Sequence, residues 1–345
     1  MKYSHVFIDA MGYELPAEVV TTQELEARLR PVYEVLHLSE GQLEALTGIR
    51  ERRWWEPGYP PSRGAVLAAR KALAMSQVRP QDIGVLIYAA VCREQFEPAT
   101  ACRVAAELGL HPETIYDISN ACLGVLNGIV DIANRIELGQ VRAGLVVSCE
   151  TAREINDAMI ETMLQAPNME VFTKSLATLT GGSGAVAVLV TDGSFGTEPR
   201  RRILGGVTQA APQHYRLCRW GLEGMLNALR QFTATDSVAV LRYGVELGLR
   251  TWNAFLGRLG WAADTVDKII CHQVGASHRD SILKALGIAE DKEFSTYPFL
   301  GNMGTVSLPL TAALAEEREF LQPGDHVGFL GIGSGLNCLM LGVEW

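Results

Sequence analysis

Val78-Arg79-Pro80-Gln81-Asp82-Ile83-Gly84-Val85-Leu86-Ile87-Tyr88-Ala89-Ala90-Val91 is a polar turn leading into an apolar strand, and its layout returns at Trp261 to Val274. Each copy follows an amphipathic helical pattern, Ala65 to Met75 in one case and Glu246 to Leu259 in the other, and each ends in Val. A gapless alignment of the two sets His272 opposite Ala89. A second pair, Ala143-Gly144-Leu145-Val146-Val147-Ser148 and His326-Val327-Gly328-Phe329-Leu330-Gly331, repeats a buried-looking strand that enters a special turn. Short apolar runs alternating with helical patterns indicate α/β architecture. The two echoes imply a duplicated α/β fold with a site where its halves meet.

Outward from these strands, composition sets broad limits. The chain has 345 residues, 48% of them hydrophobic, and a formal net charge of −9. That is ample apolar material for a large core, and the acidic balance argues against nucleic acid as a partner. The longest apolar runs, such as Ile83 to Cys92, are too short to span a membrane. Lys2-Tyr3-Ser4-His5 runs straight into a strand-like segment with no signal-peptide pattern. Seven cysteines without a CxxC pair read as reduced thiols in a cytoplasmic protein. The seven histidines show no metal-ligand spacing, so no metal is expected.

Three settings could carry chemistry. Asn120-Ala121-Cys122-Leu123 follows the strand-like Ile115-Tyr116-Asp117-Ile118 and opens an apolar helix reaching about Leu138. Ser119 or Asn120 can cap that helix, and its positive end is expected to lower the Cys122 thiol pKa. His272 closes the strand Lys268-Ile269-Ile270-Cys271 and precedes Gln273. Asn302 lies between glycines in Gly301-Asn302-Met303-Gly304. Taken singly, these are a buried Cys, a structural His and a turn Asn. Cys92, Cys102, Cys149, Cys218, Cys271 and Cys338 read as small hydrophobes. Gly331-Ile332-Gly333-Ser334-Gly335 lies between two strands rather than before a helix, which fits a turn offering backbone N–H groups better than a dinucleotide loop. Thr180-Gly181-Gly182-Ser183 permits close backbone approach before the strand Ala185 to Val190. Glu97, before Pro98, reads as a solvated or capping acid, and Arg200-Arg201-Arg202 as a solvated loop.

Together these motifs resemble the thiolase superfamily, in particular its β-ketoacyl-ACP synthase III-like condensing enzymes. The resemblance takes in Thr47-Gly48-Ile49-Arg50, the Cys122 helix, His272-Gln273, Gly301-Asn302 and Gly333-Ser334-Gly335. It implies the five-layered αβαβα duplicated thiolase fold. Residues 1–195 would form an N-terminal half carrying the Cys nucleophile and a cap insertion over about 152–180, and residues 196–345 a C-terminal half carrying His and Asn. Within the group, Phe96-Glu97-Pro98 and His272-Gln273-Val274 are similar to the branch that joins two fatty acyl-CoA thioesters head to head.

The resemblance implies Cys122 as acyl carrier, His272 and Asn302 as enolate stabilisers, and Glu97 as a base reaching the partner subunit's site. The N–H groups of Cys122 and Gly335 would form an oxyanion hole. A homodimer, acyl-CoA substrates, no separate cofactor and downstream lipid-pathway enzymes are likewise implied. The alternative is a decarboxylative synthase using acyl-CoA and malonyl-ACP, for which no carboxylate base is needed. Gln42 and Leu46 stand where many relatives place Trp and Arg for coenzyme A contacts, so those contacts do not transfer.

Overall fold

The computed structural model describes residues 1–196, 201–223 and 230–345. Among them are thirteen strands: β1 (Phe7–Glu14), β2 (Glu18–Thr21), β3 (Glu51–Trp54), β4 (Val85–Ala89), β5 (Thr114–Ile118), β6 (Ala143–Glu150), β7 (Gly184–Thr191), β8 (Arg201–Ala210), β9 (Cys218–Glu223), β10 (Arg230–Thr235), β11 (Lys268–Cys271), β12 (His326–Gly333) and β13 (Asn337–Glu344). Nine pair in the order β11-β12-β13-β8-β1-β7-β6-β4-β5. The two halves of this order, β11-β12-β13-β8 and β1-β7-β6-β4-β5, join through a short β1–β8 ladder at Phe7–Arg202 and Ile8–Arg201. β4 runs parallel to β5 and β6, and β11 parallel to β12, while the remaining ladders are antiparallel.

The strands β4, β6 and β7 are buried throughout, which explains their unbroken apolar runs: a strand covered on both faces has no polar side to display. Along β4, Val85, Ile87 and Ala89 turn towards the central core, and Leu86 and Tyr88 towards an outer one. The central core holds the helices Gly124–Glu137 and Ser307–Glu317 between the two sheet halves. Helices Pro61–Ala74 and Thr100–Leu108 cover one outer face, and Ser237–Leu259 and Ala276–Leu286 the other. Counted across the molecule, this is helix, sheet, helix, sheet, helix: the five layers of the duplicated fold.

The internal echo is one displacement of 183 residues. It carries β4, starting at 85, onto β11, starting at 268, and β6, starting at 143, onto β12, starting at 326. It also carries the helix beginning at Gly124 onto the one beginning at Ser307. Two left-handed turns obey the same displacement: Ala121 at φ 46° and Gly304 at φ 57°. The displacement falls to 153 between β7 and β13, because β12 and β13 form a tight hairpin whereas helices Arg153–Gln165 and Met169–Ser175 intervene between β6 and β7. The first of these ends with Ala166 at its C-cap, and Asn168 caps the second by accepting from Val171 N–H. These helices pack with Leu25, Val32, Tyr33 and Trp54 in a fourth cluster beside the site. No described helix is long and apolar enough to cross a membrane.

The solvated-loop reading of Arg200-Arg201-Arg202 is corrected in part. Arg201 and Arg202 open β8 and are ion-paired with Glu316 and Glu344, while Arg200 lies outside the described residues.

Candidate active site

Cys122 sits in a turn rather than on a helix. β5 ends at Ile118, and the helix begins only at Gly124, with Leu123 at its N-cap and no side-chain cap bond. Ser119 and Asn120 therefore do not cap it. The Asn120 amide instead donates to Asn127 Oδ1 at 2.8 Å and accepts from Asn337 Nδ2 at 3.2 Å, tying the turn to both halves of the molecule. Thr305 performs the cap, its Oγ1 accepting from Val125 N–H at 2.7 Å. Ala121 adopts φ 46°, a region that costs a residue with a Cβ about 1–2 kcal/mol. Gly333 presses on the turn from the β12–β13 hairpin: a Cβ there would lie 3.3 Å from Cys122 N.

The expected lowering of the thiol pKa is not what the structure shows. Burial pushes Cys122 up to about 12, the nearby Cys218 and Glu150 add to the rise, and its own backbone N–H pulls weakly the other way. Cys122 faces a cavity and is half-buried by surface, but protein surrounds its sulfur and the helix proper starts two residues later. Desolvation outweighs the dipole there.

His272 continues β11 by donating its N–H to Leu330 O at 3.0 Å. It is 9% exposed, and its Nδ1 has no partner. Burial, helped by His278, drops its pKa to about 3, so the ring is neutral at working pH. Gln273 beside it is structural: its Oε1 accepts from the N–H groups of Thr296 and Tyr297 at 2.9 and 3.1 Å. Asn302 donates its N–H to Thr180 O at 2.8 Å and accepts from Gly182 N–H at 2.9 Å. Its Oδ1 accepts from Gly304 N–H at 3.0 Å. The amide NH2 is thereby left as the donating end. The glycines before β7 make this approach possible, since a Cβ on Gly182 would fall 2.0 Å from Leu300 O.

Two cavities of about 370 and 360 Å³ meet at Cys122 and Asn302. His272, His278, Val238 and Leu241 line the first, together with Leu46 and Thr47. Glu150, Asn156, Met303 and Trp220 line the second. Gly333 and Ser334 are also on the wall, with Gly335 at φ 138° just behind, joined to Leu336 by a cis peptide. The structure thus brings Cys122, His272 and Asn302 together. It keeps Glu97 away, exposed on the loop before helix Thr100–Leu108 beside Phe96, which is 89% exposed.

Sequence reasoning passed over three residues at the site. Cys218, read as a small hydrophobe, lies on the wall of both cavities; exposed Cys102 likewise departs from that reading. His278 and the buried Glu150 were not singled out. A carboxylate ending the apolar run from Ala143 was the available signal for Glu150. No metal-holding cluster of His, Cys, Asp and Glu occurs among the described residues.

Residues 256–345 match the C-terminal family of 3-oxoacyl-[acyl-carrier-protein] synthase III. The whole chain is 58% identical to the acyl-CoA:acyl-CoA alkyltransferase of Shewanella oneidensis and 34% identical to that of Xanthomonas campestris, covering 100% of all three chains. A β-ketoacyl-ACP synthase III of Symbiobacterium thermophilum is 29% identical over 100% of this chain and 99% of its own. Among solved structures, cerulenin-bound OleA of X. campestris superposes with a TM-score of 0.93 at 34% identity, over 100% of this chain and 98% of that one. A cysteine-to-serine variant of the same protein, with bound lauric acid and lauroyl-CoA, gives a TM-score of 0.92 at 34% identity over 99% and 100%.

Proposed function

We propose, from the premise that this chain belongs to the acyl-CoA:acyl-CoA alkyltransferase (OleA) family of the thiolase superfamily, that it joins two fatty acyl-CoA thioesters by non-decarboxylative Claisen condensation. The Cys122 sulfur attacks the first thioester carbonyl, and coenzyme A leaves with the thiol proton. Cys122 and Gly335 N–H groups hold the tetrahedral oxyanion. The second acyl-CoA then loses an α-proton, and its enolate oxygen is held by neutral His272 and the free NH2 end of Asn302. The new carbon–carbon bond forms at the acyl carbonyl as Cys122 departs. The product leaves as a β-ketoacyl thioester or, after hydrolysis, as a β-keto acid, available to further lipid-pathway enzymes such as those of long-chain olefin formation. A cytoplasmic location goes with coenzyme A thioester substrates, and no group beyond the protein and the two thioesters is required.

The observation that carries this reading is the pair of cavities meeting at one thiol, which gives each acyl chain its own space. The base is Glu97 of the partner subunit, in a homodimer. Among the described residues β5 ends the sheet with a single ladder partner, and such an edge invites pairing with a second copy. It runs directly into the Cys122 turn, so a copy docked there sets its own projecting Phe96-Glu97 loop near this site.

The second reading, decarboxylative condensation with malonyl-ACP, is favoured by the synthase III match over 256–345. Glu97→Gln separates the two. Under the proposed mechanism Cys122 acylation survives, while condensation of acyl-CoA alone falls by about 10²–10⁴, followed as product by mass spectrometry. A Glu97→Gln protein that joins two acyl-CoA molecules at the wild-type rate refutes the base. Product that forms only when malonyl-ACP is supplied establishes the second reading.

A further inference from the structure

The loop that carries Glu97 is held at its root by a carboxylate from the active-site cavity of the same chain. Glu150, the last residue of β6, is 5% exposed. One carboxylate oxygen accepts from Val91 N–H at 2.9 Å and the other from Cys92 N–H at 3.1 Å. Cys92 is fixed again by Tyr88 OH, which donates to its carbonyl at 2.7 Å, and by Thr151 N–H at 3.4 Å from its sulfur. Further along, the Glu94 carboxylate accepts from Ser62 N–H and from Arg103, each at 2.9 Å. At the far end, Asp117 accepts from Thr100 and Ala101 N–H at 2.8 and 2.9 Å. Between these anchors Gln95, Phe96, Glu97 and Pro98 stand in solvent.

Glu150 is placed unlike the other anchors. It lines the cavity that holds Cys122 and Asn302. It also packs beneath the Asn302 turn, where a Cβ on Gly304 would lie 3.4 Å from its Cγ. A buried carboxylate with its two oxygens committed to two adjacent backbone N–H groups forms a stiff joint, because each donor left behind would be an unpaired buried group costing about 1–3 kcal/mol.

We infer that Glu150 is a positioning residue: it fixes the root of the Val91–Ala99 loop, and so sets where Glu97 stands in the partner subunit's site. The inference rests on the reading of Glu97 as base. An off-target displacement of about 1 Å can cost about 10² in rate, so the joint is a determinant of turnover without touching substrate.

The test is a double-mutant cycle on the full-length dimer, with two readouts: Cys122 acylation by intact mass and condensation of acyl-CoA by product analysis. Glu150→Gln keeps the side-chain size but replaces one acceptor oxygen with a donor. Acylation should not slow, because the change removes a group that raises the Cys122 pKa, while condensation falls about 10²-fold. In the Glu97→Gln background, Glu150→Gln should cause no further loss, because a residue acting only through Glu97 has nothing left to position. A full additional loss in the double variant, or equal slowing of acylation and condensation in Glu150→Gln alone, overturns the inference and leaves the base intact. Glu97→Gln that condenses normally instead overturns the base reading itself. If Glu150→Gln fails to fold, Glu94→Ala loosens the loop at its second anchor, away from the cavity. It must show the same split between readouts, and wild-type condensation in that variant also overturns the inference.

Discussion

Iodoacetamide offered to the resting protein at pH 8 should alkylate Cys122 about 50-fold more slowly than an ordinary exposed thiol. The magnitude follows from the burial that pushes this thiol up to about 12. At pH 8 such a group is about 10⁻⁴ thiolate, whereas a free cysteine near 8.5 is about one quarter thiolate, a ratio of about 2 × 10³. The more basic thiolate is intrinsically the better nucleophile, by about 40-fold over this interval at a Brønsted slope of about 0.45. The net deficit is therefore about 50-fold, before any steric effect of the cavity. Peptide mass spectrometry over time reads the rate, with exposed Cys102 as a reference in the same molecule. The rate should climb tenfold per pH unit up to pH 10 without levelling. A plateau at or below pH 8, or Cys122 outpacing Cys102, would refute the reasoning and restore the helix-end activation read from sequence. A slow resting thiol would mean, for the proposed role of Cys122, that activation arrives with the thioester, whose developing oxyanion and departing sulfur take up the charge and the proton.

Cys122→Ala should fold normally and show no acyl adduct by intact mass; an adduct would mean another nucleophile. His272 supplies a pH signature. The folded site holds it at about 3 while the unfolded chain protonates it near 6.5, so it has no effect on stability above that pH. Below it, stability falls by about 1.4 kcal/mol per unit as pH drops towards the folded value. Between pH 7 and 5, His272→Asn should therefore lose about 2 kcal/mol less than wild type in urea melts, and parallel losses would contradict a buried neutral ring. Gly182→Ala would set a Cβ 2.0 Å from the Leu300 carbonyl oxygen. It should lower the urea midpoint by more than about 2 kcal/mol equivalent; an unchanged midpoint would show that the Asn302 turn yields.

Much of the architecture was legible because it is local. The turn-strand patterns at Val78 and Trp261 are set by residues in sequence, and their exact repeat exposes the duplication. The candidate site was legible by type: Cys at a strand-to-helix turn, His ending a strand and Asn between glycines line one cavity. What escaped depends on contacts made across the molecule. The cap on the Gly124 helix comes from Thr305, 180 residues away from the bonded Val125, so no local rule could reject Ser119 or Asn120. The thiol pKa is set by what surrounds the sulfur, which sequence spacing does not report. Glu150 and Cys218 look like a strand end and a small hydrophobe until folding brings both beside Cys122.

The 183-residue displacement has a consequence for the chemistry of like molecules. Applied to the proposed working groups, it pairs Cys122 with Thr305, Asn302 with Ser119 and His272 with Ala89. A scaffold with near two-fold symmetry offers two addresses for each group, and only one of each is staffed. The mirror address of the thiol holds a hydroxyl already spent on a backbone N–H, and that of the imidazole holds a methyl. Two chemically identical substrates entering such a molecule meet inequivalent surroundings: one becomes the electrophile on sulfur and the other the carbanion. A cross-reaction between equals needs a host that tells left from right, and here the distinction is written as a thiol missing from the second half of a repeated frame and an imidazole and an amide missing from the first.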